Sequence, residues 1–523
     1  MIKLGLNLPP MSQVVAERRR HEREAEQAAL TQQAALARRK AQSMQRTYQA
    51  ARVDRLTNDW TTIPRSSRWE IYRSLRIMRA RVRDLARNND HIKKFLSMVR
   101  TNVVGPSGIK LQVRAKNTRG EMDSLLNRQI EEAWATWSHA ENASVNGKLS
   151  WRDALRKFVS TLARDGEALV RMISADNPFG FSLKFIDVNW LDEHYNETLP
   201  GGNRVIMSVE INDDDKPVAY WLTPPVDEYA LRSRPSMRRR TRVPAEEMIH
   251  CFLMDDENSG DDTQTRGVPW AHTAMMRLHI LGAYEEAELI AARIGASKMG
   301  FFIPPAADPL TGVPGEATDG DHPMIDGVSP GTFQELAPGY TFEAFDPQHP
   351  NANVTGFVKA MLRGVSTGLD VSYCSLANDL EGVNFSSIRA GLLEERDIWR
   401  SLQAFVIEHF CRRVYIAWLK SSMLTGVLNL RPRDLQRVSE PVWRPRGWAW
   451  VDPKKDMEAN VGALDNALAT HTDILAEQGE DFEEKLILMK EEQDLADKYG
   501  VKLRHEKTPA APSALDPEDE QNS

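Results

Sequence analysis

The sequence predicts an α+β protein in which a mixed helix–strand body carries long helices and a small inserted subdomain. Three observations lead there. Between residues 70 and 255, short alternating or apolar runs bounded by turn residues are interleaved with amphipathic helical patterns. Two helical stretches, 268–299 and 351–371, flank a Pro- and Gly-rich segment with no Lys or Arg between Lys298 and Lys359. A third stretch, 388–422, keeps the helical period with neither a proline nor a helix-stopping glycine. At the usual rise such a rod of about 36 residues is roughly 54 Å long, about three times a typical globular helix. A single small domain cannot cover it, so neighbouring domains or neighbouring subunits must.

Composition sets the bounds. A chain of 523 residues with 41% hydrophobic content has room for two to four domains with real cores. The formal charge of −7 does not announce a nucleic-acid binder by its total, so the distribution matters more. Three cysteines (Cys251, Cys374, Cys411) lack metal spacing and suit a reducing compartment. No run of eighteen apolar residues and no apolar N-terminal signal core is present, so neither a membrane span nor secretion is expected.

Residues 1–65 are Ala/Gln/Arg-rich with high helix propensity but no continuous apolar stripe. They read as a basic arm, helical or disordered, that either meets phosphate or acidic protein or is merely solvated. From Arg79 an Arg-rich helix breaks at Asn88-Asn89-Asp90, restarts with Ile92, Phe95, Leu96 and Val99, and stops at Gly105-Pro106. A strand is expected at Ile109–Val113. Helices follow around Trp134 and Trp137 and over Trp151–Arg164, then strands at Ala168–Ile173, Ser182–Ile186, Val205–Ile211 and Val218–Leu222. The run Arg232–Arg242 holds six arginines in eleven residues and reads equally as a nucleic-acid patch or as a solvated or inter-subunit loop. His250, beside Cys251 and Phe252, reads as a packed core histidine, and the acidic run Asp255–Asp262 as a surface loop without calcium-loop spacing.

Pro269 suits the first turn of the helix expected over 268–299. Short strands are expected at Gly300–Ile303 and near Thr341–Phe345, on either side of acids that include Asp308, Glu316, Asp319, Asp321 and Asp326. Val354, Phe357, Val358, Met361, Leu362, Val365 and Leu369 then mark one face of the returning helix, which completes a stalk with a tip. The polar loop Ser375–Ser387 has Asn378, Asp379, Gly382 and Asn384 as turn formers. After the rod, Val427–Leu430 and Trp443–Trp450 read as strand or extended, Pro453–Gly500 as helical with a break at Gln478-Gly479-Glu480, and the tail after Val501 as disordered.

No phosphate-binding loop, nucleophile elbow, zinc-protease helix or Cys-x-x-Cys pair is present. No catalytic, metal or cofactor site is expected. The sequence argues for architecture.

The segments RDLARNNDHIKKFLSMVRTNVVGPSGIKLQ, LARDGEALVRM, KPVAYWL, RVPAEEMIHCF, TQTRGVPW, GVSTGLDVSYCSLANDLEGVNFSSIRAGLLEERDIW and DILAEQGEDFEEKL occur in that order over residues 70–500. In this order they resemble the lambda-type portal proteins of tailed bacteriophages. The resemblance implies a portal-protein fold: an α+β wing (66–267 with 427–452), a two-helix stem (268–299 and 351–371), a small β-containing clip (300–350), a tunnel loop (372–387), a long helix (388–426) and a helical crown (453–500), with a disordered tail (501–523). It implies a homo-oligomeric ring, of twelve subunits in the particle, at one vertex of the capsid and assembled in the bacterial host cytoplasm. Double-stranded DNA would pass through it during packaging and ejection. Terminase and then a head-completion or adaptor protein would dock on the clip acids Asp308, Glu316, Asp319, Asp321 and Asp326. The major capsid protein and scaffold would be further partners, and no membrane is involved. Asn378, Asp379, Glu381 and Asn384 would face DNA, where a loop without Lys or Arg makes few adhesive phosphate contacts to a sliding duplex. Arg79, Arg83, Arg87, Arg238, Arg239 and Arg240 would make inter-subunit or scaffold contacts. The alternative is another oligomeric phage head or connector scaffold without an axial DNA channel.

Overall fold

A computed structural model describes residues 66–117, 119–120, 122–224, 240–254, 264–296, 300–303, 341–344, 353–381, 385–448, 453–478 and 480–501, with scattered residues before 66. The chain divides into two units, 1–65 and 66–523, and in the first the described residues 27–33 are helical and exposed.

The second unit begins with α1 (Ser67–Asn88), N-capped by the Ser66 hydroxyl, which accepts from the Trp69 amide. Ile71, Leu75 and Val82 fall on its buried face. The break expected at Asn88–Asp90 is a cap that serves two helices. The Asn89 amide closes the last turn of α1, and its side chain accepts from Ile92 at the start of α2 (Asp90–Val99). A π-helical turn, Arg100–Val104, then ends at Gly105, where φ is +76°. Strand β1 (Lys110–Gln112), α3 (Ser124–Trp137) and α4 (Trp151–Asp165) lead to β2 (Glu167–Ser174) and β3 (Phe181–Ile186).

Two antiparallel sheets follow. A meander comprises β4 (Glu197–Thr198), β5 (Arg204–Ile206), β6 (Val209–Ile211), β7 (Pro217–Leu222) and β8 (Thr241–Pro244). The other sheet is ordered β3–β2–β9, with β9 spanning Met248–Phe252. The single strand expected over 205–211 is instead a hairpin. Met207 and Ser208 both take positive φ (48° and 69°), the twist that a two-residue hairpin turn requires.

Helix α5 runs Met275–Ala296, so Pro269 does not open it as expected. Residues 267–269 lie instead against Gly166: a Cβ there would sit 2.1 Å from the Val268 carbonyl carbon, and the Trp270 amide donates to the Ala163 carbonyl. Strands β10 (Gly300–Ile303) and β11 (Thr341–Ala344) pair antiparallel where short strands were expected. Helix α6 (Val354–Gly368) returns, and a helical turn, α7 (Tyr373–Ala377), stands after it where a loop over 372–387 is expected.

The rod is α8 (Phe385–Val406), a π-helical turn (Ile407–Cys411) and α9 (Arg412–Leu424) in direct succession. Its C-terminal half is covered by its own subunit rather than waiting for a neighbour. Phe410 lies parallel to Phe158 at 4.0 Å and to Trp151 at 5.5 Å between ring centres, while Trp418 meets Trp134 edge-on at 5.0 Å. Both Phe410 and Trp418 are fully buried. The body supplies these aromatic rings, so the C-terminal half of the rod is buried against several elements.

Beyond it, 427–430 forms no strand, and the expected extended stretch narrows to β12 (Val442–Arg444), which pairs with β1 and ties the chain back to the body. Three helices follow: α10 (Pro453–Asp465), α11 (His471–Glu477, with a Thr470/Asp473 capping box) and α12 (Phe482–Tyr499).

Candidate functional site

Three of the segments that carry the resemblance, together with α1, meet at one buried carboxylate. Glu167 opens β2, and Arg266, in the turn before α5, donates to both its oxygens at 2.5–3.0 Å. Arg79 of α1 adds a 2.7 Å bond, His250 of β9 lies at 2.9 Å and the Gly267 amide donates at 3.1 Å. Neither Glu167 nor Arg266 has any measurable exposure. Burial alone would raise the Glu167 pKa, but Arg266 and Arg79, with the His250 bond, hold it well below the usual carboxylate range. The remaining Arg266 donors reach the Leu191, Met207 and Val188 carbonyls, so one side chain ties the two sheets together just ahead of α5. Next to it Arg83 bridges Asp165 (2.7 Å) and Asp187 (2.8 Å), and Arg164 takes the other side of Asp165 (2.6 Å). A buried carboxylate saturated in this way does no proton chemistry. It is a rigid joint.

The loop after α6 is built differently. Asp370 and Asn378 both take left-handed φ of 56°, and α7 spans most of the interval between them. Ser372 caps α7 through its hydroxyl, which accepts from the Ser375 amide. The α8 residue Glu395, 6% exposed, accepts from the Ser372 amide (3.2 Å), the Ser375 hydroxyl (2.9 Å) and the Trp399 indole (3.1 Å). On the open side Lys359 of α6 pairs with Asp379 (3.2 Å) and Glu381 (3.0 Å), and the Tyr373 hydroxyl donates to Asp379 at 2.7 Å. The Tyr373 bond and then the Glu381 amide and Lys359 lower the Asp379 pKa, while Glu381 and Asp379 raise that of Lys359. A cavity of about 440 Å³ lies beside α7, lined among others by Lys94, Cys374, Leu392, Arg396, Arg446 and Trp448.

The predicted residues fare unequally. Asn378, Asp379 and Glu381 share the loop, and Asn384 lies outside the described residues. The loop itself carries no cation, as expected, but Lys359 from the neighbouring helix supplies one and offsets part of its acidity. The clip acids Asp308, Glu316, Asp319, Asp321 and Asp326, with Arg238 and Arg239, also lie outside the described residues. Arg79 turns inward: at 2% exposure its guanidinium is spent within its own subunit, on Glu167, Asn189 and the Asp165 carbonyl. Arg83 is likewise committed within its own subunit, to Asp165 and Asp187. Arg87 stays exposed, and Arg240 lies over the Tyr195 ring at 4.2 Å. Sequence reasoning missed Glu167, Arg266, Lys359 and Glu395. For Glu167 a signal existed, an acid opening a mostly apolar strand, EALVRM, directly after a glycine.

The family model "phage portal protein, lambda family" matches residues 53–403. A probable portal protein of Halomonas phage phiHAP-1 is 36% identical over 453 residues, covering 85% of each chain. Portal protein B of Escherichia phage lambda is 22% identical over 449 residues, covering 77% of this chain and 81% of that one. Among solved structures, the neck of an empty gene transfer agent particle covers 81% of this chain and 97% of its own at 12% identity, with a TM-score of 0.43. The sequence matches are what carry the assignment. With two thirds of its length inside the family model and a relative above 30% identity along most of its span, this chain belongs to the lambda family of phage portal proteins.

Proposed function

We propose that this portal protein acts as a ring of identical subunits at one capsid vertex, the conduit through which double-stranded DNA enters and leaves, and the dock for terminase and later for a head-completion protein. The observation that carries this reading is the family match together with the 36% identity along 85% of the chain. Residues 66–267 with 427–452 are read as the wing, 268–299 and 351–371 as the stem, 300–350 as the clip, 372–387 as the tunnel loop and 453–500 as the crown. The protein is structural and its role is mechanical.

Exposed side chains support self-association. Met276, Ile280, Leu289 and Ile290 on α5 and Phe357 on α6 stand at 44–71% exposure in the single chain. Apolar residues set along two long helices are what a ring covers with its own copies. In this reading Asp379 and Glu381 line the channel and Arg87 and Arg240 face neighbouring subunits or scaffold. The clip acids Asp308, Glu316, Asp319, Asp321 and Asp326 meet terminase or adaptor.

Negative-stain images of the purified protein test the reading, because rotational symmetry and a central hole appear together. Rings without an axial opening would favour a head scaffold of another kind, and a persistent monomer would remove both.

A further inference from the structure

We propose that Glu395 is the positioning residue of the DNA-facing loop: it latches α7 onto the long helix, and α7 swings as one piece between Asp370 and Asn378 when that latch opens. The inference rests on reading residues 372–387 as the tunnel loop and adds to it the part that sets the loop's place.

The geometry points to a discrete element. Residues with left-handed φ bound the segment on both sides, and neither is a glycine. Each is the left-handed residue that ends a helix, Asp370 after α6 and Asn378 as the C-cap of α7, so the chain turns sharply on both sides of the short element. Between them α7 is too short to be stable alone, so its docking decides its state. The hydrogen bonds that the described residues of α7 and its cap make to another element converge on one carboxylate. Glu395 receives a backbone amide and a hydroxyl from the first turn of α7, and its other oxygen is fixed by the Trp399 indole of its own helix. Hydrogen bonds to a charged acceptor with little exposure are stronger than neutral ones. Leu376 of α7 is buried. Beyond Asn378 the restraint changes character. Asp379 and Glu381 are held through Lys359, which reaches them from α6 across a solvent-exposed gap. The inner contact is therefore the strong one and the outer contact the yielding one.

The cavity of about 440 Å³ beside α7 provides room for the swing, and Cys374 lies on its wall. This thiol is a built-in reporter. Cys251 and Cys411 are buried, and burial pushes both thiols up, Cys251 to about 12, so neither reacts near neutral pH. Cys374 is half-buried on α7 itself.

The experiment uses the assembled full-length protein. Glu395→Gln keeps the shape of the side chain but loses the charge and turns one acceptor into a donor facing donors. Ser375→Ala removes one of the bonds and leaves the carboxylate in place, so it remains informative if the first variant does not assemble. Labelling of Cys374 by a maleimide and hydrogen exchange over 373–377 are followed in rings whose symmetry is checked by negative stain. The expected result is labelling about tenfold faster for Glu395→Gln, equivalent to about 1.4 kcal/mol lost from the docked state. A smaller increase is expected for Ser375→Ala, with protection elsewhere unchanged. Rings carrying Glu395→Gln should also package or retain DNA less well. Unchanged labelling and exchange in both variants would overturn the latch while leaving the ring intact. Absence of rings in the unmodified protein would instead overturn the portal reading, so the two failures are distinguishable.

Discussion

At the scale of single residues, the most consequential group is Glu167, which no motif search would have selected. Its carboxylate is buried completely and tolerable only because Arg266, Arg79 and His250 surround it. Removing one partner strands the rest. Arg266→Met should cost about 3–5 kcal/mol, the range for breaking a buried pair, since it also frees three backbone carbonyls. A shift in the urea midpoint of residues 66–523 measures it, and a loss below about 1 kcal/mol would mean that the cluster relaxes around the gap. Gly166 is the companion case. Its φ of +82° already disfavours any side chain, and an added Cβ would meet the backbone of Val268 and Pro269, which cannot rotate away. Gly166→Ala should therefore destabilise more than the roughly 1–2 kcal/mol of the left-handed penalty alone.

At the scale of elements, the rod shows how a pattern is legible while its surroundings are not. Leu402, Val406, Phe410 and Val414 gave the helix from spacing alone. That Phe410 would lie between Phe158 and Trp151, and Trp418 against Trp134, depends on which faces of α3 and α4 reach it. Phe410→Ala should cost about 3–5 kcal/mol as a large buried aromatic truncation. Calorimetry would register this, and a near-neutral result would place the rod's support elsewhere. The π-helical turn at 407–411 leaves the His409 carbonyl facing the Cys251 thiol at 3.6 Å. An even amphipathic pattern gives no hint of that extra residue in the turn. The helical turn α7 was missed for a related reason: five residues are too few to show a period, and Glu395, from a distant element, stabilises them.

At the scale of the whole molecule, charge patterning becomes a mechanical argument. The loop that carries Asp379 and Glu381 has no Lys or Arg of its own, yet Lys359 from α6 offsets part of its acidity. Replacing both acids by Lys would leave three cations together and add adhesive phosphate contacts. The double variant Asp379→Lys/Glu381→Lys should form rings of normal symmetry and be impaired in packaging or retention. Normal packaging and retention would count against a channel position for the loop. Acid should act on the body as a whole. Glu167 and Asp187 are both held below their usual range, Glu167 by Arg266 and Arg79 and Asp187 by Arg83, each against the opposing effect of burial. Depressed carboxylates contribute stability that is complete above their unfolded pKa values, near 4, and lost as pH falls through the folded ones. Thermal stability should thus be flat from pH 7 to about 5 and decline below it; a decline that begins above pH 6 would point to histidines instead.

By itself the sequence determined most helices and strands, the two short strands between two long helices, and the family to which the chain belongs. These follow from local periodicity, turn chemistry and the order of segments, all of which lie along the chain. The tertiary structure alone decided that Arg79 and Arg83 face inward, that Lys359 stands over the loop acids, and that Glu395 holds α7. Each depends on a partner tens of residues away, and Coulombic and hydrogen-bond energies act between groups close in space, whatever their separation along the chain.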